Sequence, residues 1–322
     1  MLCFNEKITS VTAYAPATCS NLAVGYDLLG FPINSIGDTI TLTRHTHDAL
    51  IIQQIESQDT LPTDPEKNVA TAVIKKFCDD HNLPRNFSLS IRKGIALGSG
   101  MGGSAASSVA ALTALNGFLQ KPVDLATLAD YAIFGEALAC GNRHADNAVP
   151  CLYGGMTLTR SLDPLDVIRL PDFNGFCILI HPKLRLDTRE SRAALPSNLP
   201  LATYVQQSAN LAAFIVGLYE QNNALIKRSL QDVLIEPWRA ALVKGFTETK
   251  HAALAGGALG CSLSGSGPSV FALAASKIAA EKAKAAMMHA FLEKGIESHG
   301  WVSNIRNKGA EVTAISQDKK DY

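Results

Sequence analysis

No stretch of this chain of 322 residues is apolar for long enough to cross a membrane without a charge. Its first ten residues, which include Glu6 and Lys7, have no signal-peptide core. An excess of charge is also missing: 29 basic side chains stand against 29 acidic ones. A chain with no net charge is poorly suited to non-specific nucleic-acid binding. Cysteine is sparse and irregular, with seven residues, an odd number without regular spacing. That describes buried free thiols in a reducing compartment better than a disulfide framework. Cysteine and histidine never meet at metal-ligand spacing, which argues against a structural zinc site. There is no internal repeat and no low-complexity tract. What remains is a cytoplasmic protein of ordinary globular composition, 47% hydrophobic and 18% charged, long enough for two domains.

The most informative stretch runs from Ile91 to Ala111, I-R-K-G-I-A-L-G-S-G-M-G-G-S-A-A-S-S-V-A-A. Glycine is costly inside a regular element, so this density implies tight turns or a backbone brought close to something. Phe87 to Ile91 alternates as a strand before it, and the alanine-rich run from Ser104 to Asn116 follows as a helix. Strand, glycine loop and helix start together aim unpaired N–H groups and the positive dipole end at one point, an anion site. The common P-loop is excluded, because no Gly-Lys-Ser or Gly-Lys-Thr follows, and the spacing does not suit the dinucleotide fingerprint. A flexible glycine loop before a buried helix is the alternative.

Around this centre, Ile8 to Ala15 alternates as a strand that Pro16 stops, leaving residues 17–30 as a polar loop. Thr39 to Thr43 and Ala49 to Ile55 are further strands, and Asn68 opens a helix over Val69 to Asp80. A second helix covers Leu125 to Ala139. Residues 144–155 read as a loop, followed by a strand from Met156 to Arg160 and a domain boundary at 160–164. Beyond it, Phe176 to Ile180 is an apolar, central strand. Helices follow over 201–219, 225–234 and 239–254, then a strand over Ser269 to Ala274 and a helix over 278–294. Two closing strands fall at 301–305 and 311–315. Helices alternating with sparse strands in both halves point to two α+β domains, residues 1–160 and 161–322.

Polar residues concentrate in a few places. Ser104 begins the alanine-rich helix and offers a hydroxyl. Glu136 lies on a small, apolar helix face, as a metal ligand or simply as a solvated glutamate. Arg143, His144, Asp146 and Asn147 crowd one loop, and Asn21 and Asp27 flank a short turn around Gly25, where either could form an Asx turn. Arg189, Arg192 and Arg239 suit carboxylate or phosphoryl oxygens, since guanidinium donors match them in pairs; Arg189 is better read as surface charge.

Assembled, four motifs resemble those of the homoserine kinases in the GHMP kinase superfamily. Residues 16–30, P-A-T-C-S-N-L-A-V-G-Y-D-L-L-G, match a usual P-A-T-S-A-N-L-G-P-G-F-D-x-L-G. Residues 98–107, G-S-G-M-G-G-S-A-A-S, match G-x-G-L-G-S-S-A-A-S. His144-Ala-Asp-Asn-Ala-Val-Pro150 is the third. Glu236-Pro-Trp-Arg239, followed by Leu263 to Val270, is the fourth. The resemblance covers nearly the whole chain and implies a two-domain α+β fold. The N-terminal domain would carry the glycine-rich phosphate loop, the C-terminal domain would be ferredoxin-like, and the last strand could return to the first domain.

It further implies ATP-dependent phosphorylation of the side-chain hydroxyl of L-homoserine, in threonine biosynthesis, with ATP and Mg2+ as cofactors. By the same resemblance, Asn68, Gly98, Gly100, Met101, Gly102, Gly103, Ser104, Ala105 and Ser107 bind the nucleotide. Ser104, Glu136 and Thr188 hold magnesium. Asn21, Asp27, His144, Asn147, Arg192 and Arg239 bind the substrate, with Asn147, Arg192 and Arg239 catalytic. Several relatives place an aspartate where this chain has Asn147, and an amide cannot serve as a general base. Direct in-line attack without a dedicated protein base is therefore expected. A homodimer is expected, with no nucleic-acid or membrane partner. Ala23, Val24, Met101 and Gly103 depart from the usual motifs. A kinase of this fold for another small alcohol, or a catalytically silent nucleotide-binding protein, are the competing readings.

Overall fold

The structure is a computed structural model that describes residues 2–318. β1 (Ile8–Ser20) and β2 (Leu29–Arg44) form a long antiparallel hairpin. The expected stop at Pro16 does not occur. Pairing continues with Pro16 opposite Gly37 and Ser20 opposite Gly30, and a register shift between Pro16 and Thr18 accommodates the residue that has no N–H. The loop of 17–30 shrinks to residues 21–28.

β3 (Leu50–Glu56) runs parallel to β4 (Phe87–Arg92), joined by α1 (Val69–His81). Asn68 starts α1 by accepting the Ala70 N–H at 3.0 Å. α2 (Gly103–Phe118) is buried on almost every side, because alanine and serine let β1, α1 and α3 (Leu125–Cys140) approach closely. α4 (Ala148–Tyr153) replaces part of the expected 144–155 loop. Its Val149, Cys151 and Leu152 are all buried, and Pro150 stands in its first turn, where a missing N–H costs little.

β5 (Thr157–Leu162) and β6 (Leu165–Arg169) form a hairpin that adds to the sheet through β2. The boundary expected at 160–164 is thereby corrected. The break between residues 160 and 161 falls inside β5, and residues 163–164 are the turn between two paired strands.

After residue 170 the chain builds a second sheet. In order come β7 (Phe176–Pro182), α5 (Thr188–Ala193), α6 (Leu201–Tyr219), α7 (Asn223–Ser229), α8 (Glu236–Arg239), α9 (Phe246–Ala255), β8 (Gly260–Leu263), β9 (Val270–Ala274), α10 (Lys277–Glu293) and β10 (Ser298–Ser303). The expected helices over 225–234 and 239–254 are shorter. Asp232 turns the chain by accepting the N–H groups of Leu234, Ile235 and Glu236, and Gly245 in a left-handed conformation precedes α9. The sheet order β10-β7-β9-β8, antiparallel throughout, is the ferredoxin-like plait. β11 (Glu311–Gln317) then returns to pair with β1, so the last strand does belong to the first sheet.

β7 explains how the halves adhere. Its alternate residues Cys177 and Leu179 enter the core shared with the first sheet, while Ile178 and Ile180 pack with Phe246, Met287 and Phe291 in a second core. With the two halves fixed to one another in this way, the groove along their junction has defined walls. Among the described residues no helix is long and apolar enough to cross a membrane.

Candidate active site

The groove is an open cleft lined by residues of both halves. The glycine stretch forms its floor. Gly98, Gly100 and Gly102 have φ of 62°, 74° and 69°, alternating with Ser99 and Met101. This alternation turns successive N–H groups toward a common centre. At Gly102 a Cβ would lie 2.1 Å from Thr18 Oγ1 and 2.9 Å from Asn147 Oδ1, so only glycine fits there. Among the described residues no side chain caps α2 and no acid lies in its first turn. Its leading N–H groups are left for an anion.

Ser104 stands at that helix start and donates to Glu136 Oε1 at 2.5 Å. Glu136 comes from α3 and is only 3% exposed, so it is no solvated surface glutamate. Burial pushes its carboxyl up, while His144 and the Ser104 hydroxyl pull it down. His144 Nδ1 bonds Asp146 Oδ1 at 3.0 Å, and Nε2 lies 3.0 Å from Cys140 Sγ. Burial disfavours the imidazolium, but the bonds to Asp146 and Cys140 and the nearby Glu136 carboxylate outweigh it and take its pKa to about 11. Burial likewise acts to raise Asp146, yet His144 holds that carboxyl below its usual range. Next in the chain, Asn147 Oδ1 accepts from Thr18 Oγ1 at 2.7 Å. This fixes the amide against Gly102 with its NH2 group still available.

The opposite wall comes from the second half. Arg192 on α5 makes a two-pronged ion pair with Asp27, both bonds 2.9 Å. Arg239 at the end of α8 is buried and donates to the carbonyls of Ser191 at 3.3 Å and Gly265 at 3.2 Å. Burial lowers its pKa and the Arg192 charge adds to this, with Tyr26 opposing. Thr188 shares a hydrogen bond with Ser266 at 3.3 Å on the same wall. Asn21 ties the walls together: its Nδ2 donates to Gly265 O at 2.9 Å, and its Oδ1 accepts the Asp27 N–H at 3.0 Å. Asn21, Leu22 and Ala23 are all left-handed, with φ of 69°, 46° and 62°, a strained turn held by Gln207 through the Ala23 carbonyl at 3.2 Å.

Asn21, Asp27, Gly98, Gly100, Gly102, Gly103, Ser104, Glu136, His144, Asn147, Thr188, Arg192 and Arg239 thus converge on one cleft. Four other expected nucleotide-binding residues do not line this cleft. Met101 and Ala105 point into the core, leaving only their backbone at the loop. Ser107 lies one turn along α2 and donates to Asp38 at 3.0 Å. Asn68 lines a neighbouring cleft with Ser107, and its amide is occupied by capping α1 and by donating to Pro62 O at 3.2 Å. Arg143 is exposed, as is Arg189.

Three features were not anticipated. Thr18 orients Asn147, and Asp146 locks His144. Beneath the loop lies a buried Lys93–Asp38 ion pair, with side chains 2% and 0% exposed. Lys93 Nζ also donates to Gly103 O at 2.9 Å and Ser107 Oγ at 3.0 Å. Asp38 accepts the N–H groups of Gly94 at 3.1 Å and Ile95 at 3.2 Å. The lysine absent from the loop's sequence is present underneath it, joining both of its ends. Only the polar density around Asp146 was visible in the sequence.

The chain is similar to known proteins over nearly its whole length. The family described as GHMP kinases N terminal domain matches residues 68–155, and GHMP kinases C terminal matches residues 211–294. The chain is 43% identical over 317 residues to the homoserine kinase of Chlorobium phaeobacteroides, covering 94% of this chain and 99% of that protein. It is 44% identical over 301 residues to the homoserine kinase of Xylella fastidiosa, covering 93% of each. The crystal structure of homoserine kinase from Cytophaga hutchinsonii superposes with a TM-score of 0.92 at 40% identity, covering 97% of this chain and 100% of that one.

Proposed function

The chain belongs to the homoserine kinases of the GHMP kinase superfamily, and we propose that the cleft at the start of α2 is where it moves the γ-phosphoryl group of ATP onto the side-chain hydroxyl of L-homoserine. The enzyme phosphorylates L-homoserine at the expense of ATP, a step of threonine biosynthesis. The observation that carries the assignment of the site is the Asp27–Arg192 pair facing the uncapped start of α2. An amino-acid zwitterion presents one ammonium and one carboxylate, the charges that Asp27 and Arg192 each already meet in the other. Arg239 adds a second guanidinium for the carboxylate.

The phosphates belong at the glycine loop, where N–H groups of Gly103, Ser104 and Ala105 meet their charge. Ser104 and Glu136 offer hydroxyl and carboxylate oxygens, the donors magnesium prefers, and a buried carboxylate is suited to a cation. With Thr188 they would hold the ion, which when bound neutralises phosphate charge. Asn147, set by Thr18 against Gly102, orients the attacking hydroxyl, so alignment and electrostatics drive in-line attack. Asp146 is a poor base, because its carboxyl is held low and engaged by His144. The proton leaves to a phosphate oxygen or to water.

The assignment is tested by mixing the protein with ATP, magnesium and homoserine, mevalonate, galactose, shikimate or threonine in turn, and measuring ADP. Release with homoserine alone is expected. Release with a different alcohol, or tight ATP binding without release, contradicts it. Asn147→Ala should raise KM for homoserine and lower kcat, each about tenfold or more, read by steady-state kinetics; if neither changes, Asn147 is not in the site. Gly103→Ser should be accommodated once Ile95 gives way by a few tenths of an ångström, since the new Cβ would lie 3.3 Å from Ile95 Cγ2 and 3.5 Å from Lys93 Nζ. Its hydroxyl should lower KM for ATP by about threefold, the worth of one modest hydrogen bond. A higher KM would show that the backbone N–H groups alone set the grip.

A further inference from the structure

Tyr26 is half-buried in the strained turn between β1 and β2, and no role has yet been given to it. Both substrate-facing guanidinium groups lie over its ring: Arg239 at 5.1 Å from the ring centre and Arg192 at 5.5 Å. Arg239 Nη2 also donates to the Tyr26 hydroxyl at 3.4 Å. Two guanidinium groups this close repel one another. Asp27 pairs directly with Arg192, whereas Arg239 makes no ion pair among the described residues and is held by two carbonyls and this ring. An aromatic face attracts a cation without neutralising it. It can therefore hold a pair of cations together while leaving their charge free for a ligand.

We propose that Tyr26 is the positioning residue that keeps Arg192 and Arg239 together as a seat for the substrate's α-carboxylate. The inference rests on the homoserine reading above. Loss of the ring would let the guanidinium groups separate. The carboxylate would then meet one of them, while the phosphate loop, Ser104 and Glu136 on the opposite wall would be untouched. The defect belongs to homoserine binding and not to ATP binding.

The test compares Tyr26→Leu, which keeps apolar bulk without a π face, with Tyr26→Phe, which keeps the ring without the hydroxyl. Tyr26→Leu should raise KM for homoserine by roughly tenfold or more, the scale of one to two desolvated cation–π contacts. KM for ATP and kcat should stay within about threefold of the parent, and Tyr26→Phe should restore KM for homoserine to within about threefold. Two results overturn the proposal: an unchanged KM for homoserine in Tyr26→Leu, or a parallel loss in kcat and both KM values with a lowered melting temperature, which would mark a merely structural residue. The parent protein is the control for the underlying reading. If it turns over homoserine and Tyr26→Leu behaves like it, the inference alone fails; if the parent releases no ADP with homoserine, the reading fails and the inference with it.

Discussion

A Glu136→Gln protein is expected to fold as the parent does and to turn over roughly a hundred to a thousand times more slowly, the usual cost of removing one group that stabilises transition-state charge. Glutamine has the same shape and can still accept from Ser104, so the packing of α3 against α2 is retained. What disappears is a negative charge in a wall only 3% exposed, 2.5 Å from the Ser104 hydroxyl. Burial already works against that charge. Its neutralisation should therefore leave the melting temperature unchanged or raise it, while activity collapses. Stability and function moving in opposite directions mark a group kept for chemistry. Half-maximal rate should also require more magnesium than in the parent. Rates measured across a magnesium titration, with thermal melts of the same samples, check both parts. Parental magnesium dependence at parental rate would remove Glu136 from the site.

Asp38→Ala is expected to be the most destabilising single change near the site. Removing one partner of a buried ion pair costs about 3–5 kcal/mol, because the remaining charge is left without compensation. That corresponds to a fall in melting temperature on the order of ten degrees. Here Lys93 would keep its bonds to Gly103 O and Ser107 Oγ but lose its counter-charge, and Gly94 and Ile95 would lose their acceptor. Both ends of the phosphate loop loosen together, so KM for ATP should rise as well. Thermal unfolding and ATP kinetics give the answer. A shift of less than about two degrees would mean that the pair is not holding the loop. The double replacement Lys93→Met with Asp38→Leu should recover part of the lost stability, since no charge is stranded, without recovering KM for ATP.

These two residues also show how far a sequence can be read. Glu136 was visible because a lone carboxylate on an apolar helix face is a local anomaly, and the glycine loop because its composition fits nothing else. The Lys93–Asp38 pair was not visible. Its members are 55 positions apart, and their meeting depends on the pairing of β2 with β4, which sets Thr39 opposite Arg92. Thr18 and Asn147, 129 positions apart, are the same case. The side chains of Met101, Ala105 and Ser107 turn away from the cleft for another reason: a motif names consecutive residues, but a helix start turns only some of their side chains toward the ligand. α4 was missed because Pro150 reads as a breaker except in a first turn, and β6 because the hairpin turn before it resembles a linker. The helices with long, regular apolar periods needed no tertiary information, and they were correct to within a few residues.

The central claim is transfer of a phosphoryl group to a hydroxyl in this cleft, as opposed to hydrolysis of ATP. The direct measurement is phosphorus NMR of the purified protein with ATP, magnesium and L-homoserine. One new phosphomonoester resonance should grow in step with ADP, coupled to the methylene protons next to the side-chain oxygen of homoserine, and it should be nearly lost in Glu136→Gln and Asn147→Ala. ADP and inorganic phosphate as the only new species, or no change in the ATP resonances, would contradict the account.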